Sequence, residues 1–321
     1  MRERAAPWLA GALALAGPGP RVEAAPRPSP RPPAHARLTR LSVTGVERLL
    51  RDPYSIYAQE ILRLRALDPL TPQPGAMERG THLHKVMEVF VRDDLAPLQG
   101  PLDPATARAL LLRRAEQVLA EECGWPVHRR LWAAQLGRAA PEFLDGEAER
   151  RARARPALFE VKGEAVVAGV VIVGKADRID VDEAGRVHVL DYKTGAPPSV
   201  RQQKKFAKQL LIEAAMVERG AFGALGARPV AGAAYLGLGS NPKPVPAPLD
   251  EITPDQVWEE LALLLAAYAD PGRGFTARIA PVSDDPDREG DHDHLARRGE
   301  WDHSTPVTRE EVGHLGGWWD E

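Results

Sequence analysis

Gly174-Lys175-Ala176-Asp177-Arg178-Ile179-Asp180 sets one carboxylate, Asp177, in an otherwise apolar stretch, and Leu190-Asp191-Tyr192-Lys193-Thr194-Gly195 follows after a turn. Two short strands joined by a hairpin bring Asp177 and Asp191 together, and alternation puts Asp191 and Lys193 on one face of their strand. Two carboxylates and an ammonium then converge. The carboxylates repel unless a cation lies between them, and hard divalent ions take oxygen ligands. A lysine placed there orients or deprotonates a water and stabilises developing negative charge. A structural Asp191–Lys193 ion pair with a turn-capping Asp177 accounts for the same spacing, and spacing alone does not choose between them. Upstream, Gly80-Thr81-His82-Leu83-His84-Lys85-Val86-Met87-Glu88 places His84 and Glu88 on one helix face at i and i+4, with His82 turned away.

The elements that must hold these groups follow from periodicity. Ser42-Val43-Thr44 offers hydroxyl caps ahead of an apolar stripe at Val46, Leu49 and Leu50, which Asp52-Pro53 interrupts and Tyr54–Leu64 resumes. Helices are expected over Met77–Leu95, Ala105–Glu122 and Leu131–Arg150. The period then shortens. Ala157–Val167, Val170–Val181 and Arg186–Tyr192 are β-branched and short, separated by Gly169 and by the turn around Glu183–Gly185. Val200–Arg219 returns to helix, Val230–Leu238 to strand and Pro254–Ala269 to an amphipathic helix. Helices, a meander, then helix–strand–helix make an α/β layout around one mixed sheet.

This ordered set resembles the RecB-like branch of the PD-(D/E)XK nuclease superfamily. Its members carry Gly-x-x-x-His on a helix, an Asp on a strand and Asp/Glu-x-Lys on the next, here Gly80 to His84, Asp177, and Asp191-Tyr192-Lys193. More narrowly, the chain resembles the AddB-type nuclease domains of alphaproteobacterial double-strand-break repair. Leu41–Thr44 with Arg51–Tyr54, Gln209–Ala214 and Asp293–Arg297 carry that closer likeness. The resemblance covers Leu38 to Trp301 and implies a restriction-endonuclease-like fold, a mixed central sheet flanked by helices. It also implies a Mg2+-dependent DNA exonuclease acting in recombination. His84, Asp177 and Asp191, with the backbone carbonyl of Tyr192, would hold Mg2+ or Mn2+. Asp177, Asp191 and Lys193 would be the catalytic set, Lys193 positioning the attacking water. Gln209 matches the start of the family's Gln-x-x-x-Tyr helix beside the DNA, although the fourth following residue is Glu213.

The implied partners are linear DNA ends, single-stranded DNA and an AddA-type helicase–nuclease subunit, in the cytoplasm with no membrane. Many relatives hold an iron–sulfur cluster through four cysteines. Here Asp52 stands at the first of those positions and Cys123 is the sole cysteine, so no iron–sulfur cluster is expected. Packing of Trp301 against the early helix is expected to close the ends instead. A non-catalytic DNA-binding or subunit-docking module, its acidic residues relics, is the alternative.

A net charge of −3 excludes a histone-like polycation, so any nucleic-acid binding must come from local patches. Hydrophobic content of 44% with 27% charged residues describes a folded globular chain and excludes wholesale disorder. One cysteine excludes an intramolecular disulfide framework. Lys204, Lys205 and Lys208 form the best basic patch, leading into Gln209, and suit phosphate neutralisation or a solvated face. Arg150, Arg151, Arg153 and Arg155 suit a surface, and Asp291-His292-Asp293-His294 imitates a metal site but is expected to be a solvated loop. Gly169 to Ala176 nearly matches a phosphate-binding loop. Its β-branched run belongs in a strand and its last position lacks the hydroxyl that holds Mg2+, so it is rejected.

Ahead of all this, Met1–Pro18 has the arrangement of a signal peptide or of an Ala-rich helix end, and Pro18–Pro33 holds seven prolines, as a linker would. The expected organisation is therefore an N-terminal segment and linker over 1–37, a nuclease domain over 38–301 and a tail over 302–321.

Overall fold

A computed structural model describes residues 2–16, 22–67, 70–71, 73–98, 100, 103–239, 242–281 and 289–312. In chain order the elements are α1 (Arg2–Ala16), β1 (Arg27–Arg31), β2 (Arg40–Ser42), α2 (Val43–Arg51), α3 (Pro53–Ile56), α4 (Ala76–Val89), α5 (Pro104–Glu122) and α6 (Pro126–Arg153). There follow β3 (Ala154–Val167), β4 (Val170–Asp182), β5 (Val187–Lys193), α7 (Val200–Lys205), α8 (Gln209–Glu218), β6 (Val230–Gly237), β7 (Val245–Pro246), α9 (Pro254–Ala269) and β8 (Val307–Glu311). The expected cap is realised at Ser42, whose Oγ accepts from the Gly45 N–H at 2.9 Å and starts α2. α3 and α4 each continue into a π-helical turn, Tyr57–Ile61 and Phe90–Leu95.

A six-stranded mixed sheet forms the centre. Its long strand β4 pairs antiparallel with β3 along nearly its whole length. The other edge of β4 is shared. β2 runs parallel to it over Val171–Val173, and β5 runs antiparallel to it over Arg178–Val181. Between these two pairings the Gly174–Asp177 stretch has no ladder partner on that edge, so the sheet splits there. β6 then pairs parallel with β5, and β7 antiparallel with β6. The β3–β4 turn at Ala168 (φ 48°) and Gly169 (φ 82°) is left-handed at both residues, the conformation a tight hairpin needs. The rejected phosphate-loop stretch is accordingly a hairpin and strand.

Helices cover both faces. Val187 and Val189 of β5 belong to a core with Leu49 of α2, Leu211 of α8 and Leu265 of α9. Leu190 and Tyr192, on the opposite side of the same strand, belong to a second core with Leu83 of α4, Leu111 of α5 and Leu136 of α6. This is the expected α/β architecture, a mixed sheet flanked by helices.

Several local expectations are corrected. The helix foreseen over Val200–Arg219 breaks at Phe206–Lys208, because Phe206 leaves helical geometry (φ −135°) and puts its ring under the Arg51 guanidinium at 4.4 Å. The break lets α8 start afresh at Gln209. The proline-rich stretch is a strand over Arg27–Arg31, parallel to Val307–Glu311. Pro28 and Pro30 lack N–H donors, which an edge strand tolerates. Arg27 and Ser29 are buried, and the buried Arg37 donates to the carbonyls of Pro32, Tyr268 and Pro271. The loop foreseen over Ser283–His294 lies outside the described residues up to position 288. Its remainder is not a solvated loop, since His292 and Asp293 are buried. In α1 the side chains from Trp8 to Ala16 are exposed.

Candidate functional site

The split in the sheet is where the chemistry-bearing residues meet. Continuing the β4–β5 register past Arg178↔Leu190 sets Asp177 opposite Asp191. There the ladder gives way to a side chain, and Asp177 Oδ2 accepts the Tyr192 N–H at 2.8 Å. One carboxylate oxygen thus satisfies a buried backbone donor and is itself fixed. α4 reaches the split from the second core: Arg79 donates to the Thr194 carbonyl just beyond β5, and one turn on His84 Nδ1 lies 3.2 Å from Asp177 Oδ2. The His84 ring also stands edge-on to Tyr192 with centroids 6.1 Å apart. His82 faces Trp132 and Glu122 instead, away from the site as expected.

Asp191, alternating with Tyr192, points to the α8 side. Its Oδ2 is 2.8 Å from Lys193 Nζ and its Oδ1 accepts from Gln209 Nε2 at 2.6 Å. Gln209 Oε1 accepts from Lys193 Nζ at 3.1 Å, and Nε2 also lies 3.2 Å from Glu213 Oε1. This fixes the amide's orientation, nitrogen toward carboxylates and oxygen toward the ammonium. Gln209 is therefore occupied inside the site, tying Asp191 to Lys193. Lys193 lies over the Tyr235 ring at 5.2 Å.

The electrostatics are those of crowded acids in a dry place. Burial, with Asp177 nearby, pushes the Asp191 carboxyl up to about 6 against the pull of Lys193. Burial and the Asp191 charge raise Glu213 well above the usual carboxylate range. Burial works against the charged form of Lys193, but Asp191 overcomes it and raises the ammonium's pKa, so at neutral pH Lys193 is a cation. For His84 too, burial is outweighed by the hydrogen bond its ring donates to Asp177 and by the charges of Asp177 and Asp191, and its pKa rises.

Among the described residues, His84, Glu160 and Asp177 each offer a ligand atom within 4.8 Å of the other two. This set fits a divalent ion in its donor types, one imidazole nitrogen and two carboxylates, and the surplus negative charge around it favours a cation. Of the residues expected at the site, His84, Asp177, Asp191, Lys193 and Gln209 come together. Lys204 and Lys208 are spent on ion pairs, with Glu251 and with Glu260 at 3.0 Å, so the basic patch is largely neutralised. Arg150 pairs with Glu147, Arg153 with Glu149, and Arg151 donates to the carbonyls of Leu95 and Leu98, a structural use of that run. Glu160 escaped the sequence reading. A single acid inside the Leu158–Val161 strand was its only trace, and its strand register was needed to place it.

Residues 40–297 match the PD-(D/E)XK nuclease superfamily, most of the chain and all the residues just described. The chain belongs to this superfamily. Uncharacterized proteins of Rickettsia are similar to it: one from Rickettsia bellii is 33% identical over 187 residues, 57% of this chain and 22% of that protein. Another, from Rickettsia typhi, is 31% identical over 196 residues, 59% of this chain and 22% of that protein. The match thus spans about a fifth of these relatives' length. No described helix is long and apolar enough to cross a membrane.

Proposed function

We propose that this superfamily member is a divalent-cation-dependent deoxyribonuclease that hydrolyses phosphodiester bonds at linear or single-stranded DNA ends, with Mg2+ or Mn2+ as the cation. The observation that carries this reading is the convergence of His84–Asp177 with Asp191–Lys193 at the split between β4 and β5. His84, Asp177 and Asp191, with the Tyr192 carbonyl, would hold the ion. Bound there, it would neutralise phosphate charge and acidify a water. Lys193, kept cationic by Asp191, orients the nucleophilic water and meets negative charge as it develops on the phosphate. A cationic Lys193 does not begin as the base that deprotonates this water. Gln209 holds the ammonium and the Asp191 carboxylate at a fixed separation. Asp177 and Asp191 are buried, which strengthens their interactions, while His84 and Lys193 stay partly open to solvent, where a phosphate can approach.

The likeness at Gln209–Ala214 and Asp293–Arg297 extends the proposal to an AddB-type role in double-strand-break repair beside an AddA-type helicase–nuclease subunit. In the assay, linear single-stranded DNA is incubated with Mg2+ and the parent chain, Asp191→Ala or Lys193→Ala. Each substitution is expected to slow degradation by about a hundredfold or more. Equal rates in parent and variants would overturn the site. An inactive parent would favour the non-catalytic binding module.

A further inference from the structure

Glu160 lies on β3, beside the heart of the site on β4. Its flanking pairs are Phe159↔Arg178 and Val161↔Ala176, which set Glu160 directly opposite Asp177. Asp177 is in turn opposite Asp191 by the continued β4–β5 register. Three carboxylates thus stand in one row across three adjacent strands. Glu160 adopts φ 49°, a left-handed conformation that a non-glycine residue inside a strand takes only when its surroundings impose it. Its ligand oxygen comes within 4.8 Å of those of His84 and Asp177. The family pattern quoted for this chain has no acid at that place.

The Glu160 carboxylate already has a cation of its own, because Lys175 Nζ is ion-paired to Glu160 Oε2. Lys175 is two residues before Asp177 on β4, hence on its face of the strand, and Asp177 together with Glu88 adds to the field that holds its proton after the Glu160 hydrogen bond itself. The Lys175 side chain is 53% exposed and the Glu160 side chain 21%. The lysine therefore has open solvent to swing into, whereas the glutamate does not need to move to face His84 and Asp177.

Resting on the cation-binding reading of this site, we propose that Glu160 is a further protein ligand of the divalent ion and that Lys175 is its displaceable counter-ion. With no divalent ion bound, the ammonium neutralises Glu160. When the ion enters between His84, Asp177 and Glu160, a double positive charge replaces the single one and Lys175 swings out to solvent. The affinity for the ion is then set by a competition: Glu160 contributes a negatively charged oxygen ligand, and Lys175 opposes occupancy. Substitutions at the two positions must act in opposite directions, which a merely structural surface ion pair does not predict.

The test is a calorimetric titration of MnCl2 into the full chain without DNA, on the parent, Glu160→Gln and Lys175→Met. Glu160→Gln is expected to weaken Mn2+ binding by about tenfold or more, within the range seen when supporting residues of metal sites are removed. Lys175→Met is expected to tighten it several-fold. Parent-like binding in Glu160→Gln, or weaker binding in Lys175→Met, overturns this inference while leaving the site itself in place. Should Glu160→Gln fail to fold by circular dichroism, Lys175→Met decides alone, unchanged affinity counting against the proposal. A parent chain that takes up no Mn2+ at all sinks the cation-binding reading, and this inference with it.

Discussion

Glu213 shows how much the site demands of single residues. It is 1% exposed, and its Oε2 has no hydrogen-bond partner among the described residues. Gln209, one turn earlier on α8, contacts its other oxygen. Burial and the Asp191 charge raise its pKa well above the ordinary 4.5, so the folded chain retains a proton that the unfolded chain releases. Stability contributed by a raised carboxyl is present at low pH and falls as pH rises from 4.5 toward the folded value. Glutamine has nearly the same shape and cannot ionise. In cation-free buffer, Glu213→Gln should therefore raise the melting temperature at pH 7 and leave it unchanged near pH 4. Thermal unfolding at both pH values checks this, and equal shifts at the two would show that titration is not the cause.

At the scale of elements, the strand bearing Asp177 is anchored from behind by charge. Arg178 is 0% exposed, forms two hydrogen bonds with Glu147 of α6 (2.9 and 2.8 Å) and two with Asp180 on its own strand (2.6 and 2.7 Å). The Tyr192 hydroxyl is 3.5 Å away, so the network ties α6, β4 and β5 into one unit behind the site. Although burial opposes ionisation of Glu147, Arg178 and Arg150 hold its pKa below the ordinary value. Removing one partner strands the others in a dry interior. Glu147→Ala should destabilise the chain by about 3–5 kcal/mol in urea unfolding. A loss below about 1 kcal/mol would mean that water reaches Arg178 and relieves it.

The same elements show why part of the site was legible in the sequence and part was not. Asp177, Asp191 and Lys193 sit on strands whose apolar alternation and hairpin spacing fix their relative faces, and the i and i+4 spacing fixes His84 on its helix. Glu160 reaches the site through the β3–β4 hairpin register together with a left-handed φ of 49°, and strand periodicity does not reveal that conformation. Gln209 was foreseen beside DNA, yet the break at Phe206–Lys208 starts a new helix that points it at Asp191. Packing of Phe206 under Arg51 overrides helix propensity there.

Over the whole molecule, segments far apart in sequence are fastened at one place, much as the sole cysteine and Asp52 led the sequence to suggest. Trp301 is buried with Ala277 and Ala296, and Tyr54 of α3 packs on them. Arg27 crosses to the carbonyls of Ala277 and Arg278 and lies over the Trp301 ring at 5.8 Å. Asp52 accepts the Arg278 N–H at 2.9 Å, and the Arg278 guanidinium pairs with Asp293, as does Arg298 at 3.3 Å. His292 completes the clasp through Ser55 at 3.1 Å. Burial of Asp293 opposes its charge, but hydrogen bonds from Arg278 and the Gly290 N–H outweigh it and hold its pKa below the ordinary 3.8. A depressed carboxyl contributes stability that is present above its unfolded pKa and disappears as pH falls through the folded value. Asp293→Asn should accordingly lower the melting temperature at pH 7, and the gap from the parent should close as pH falls below about 4. Melting curves of the two chains from pH 7 down to pH 3 measure that gap. A gap that stays constant across the range would assign the clasp's strength to shape and neutral hydrogen bonds, and would remove the carboxylate's charge from the account of how β1, α3 and the segment around Trp301 are held together.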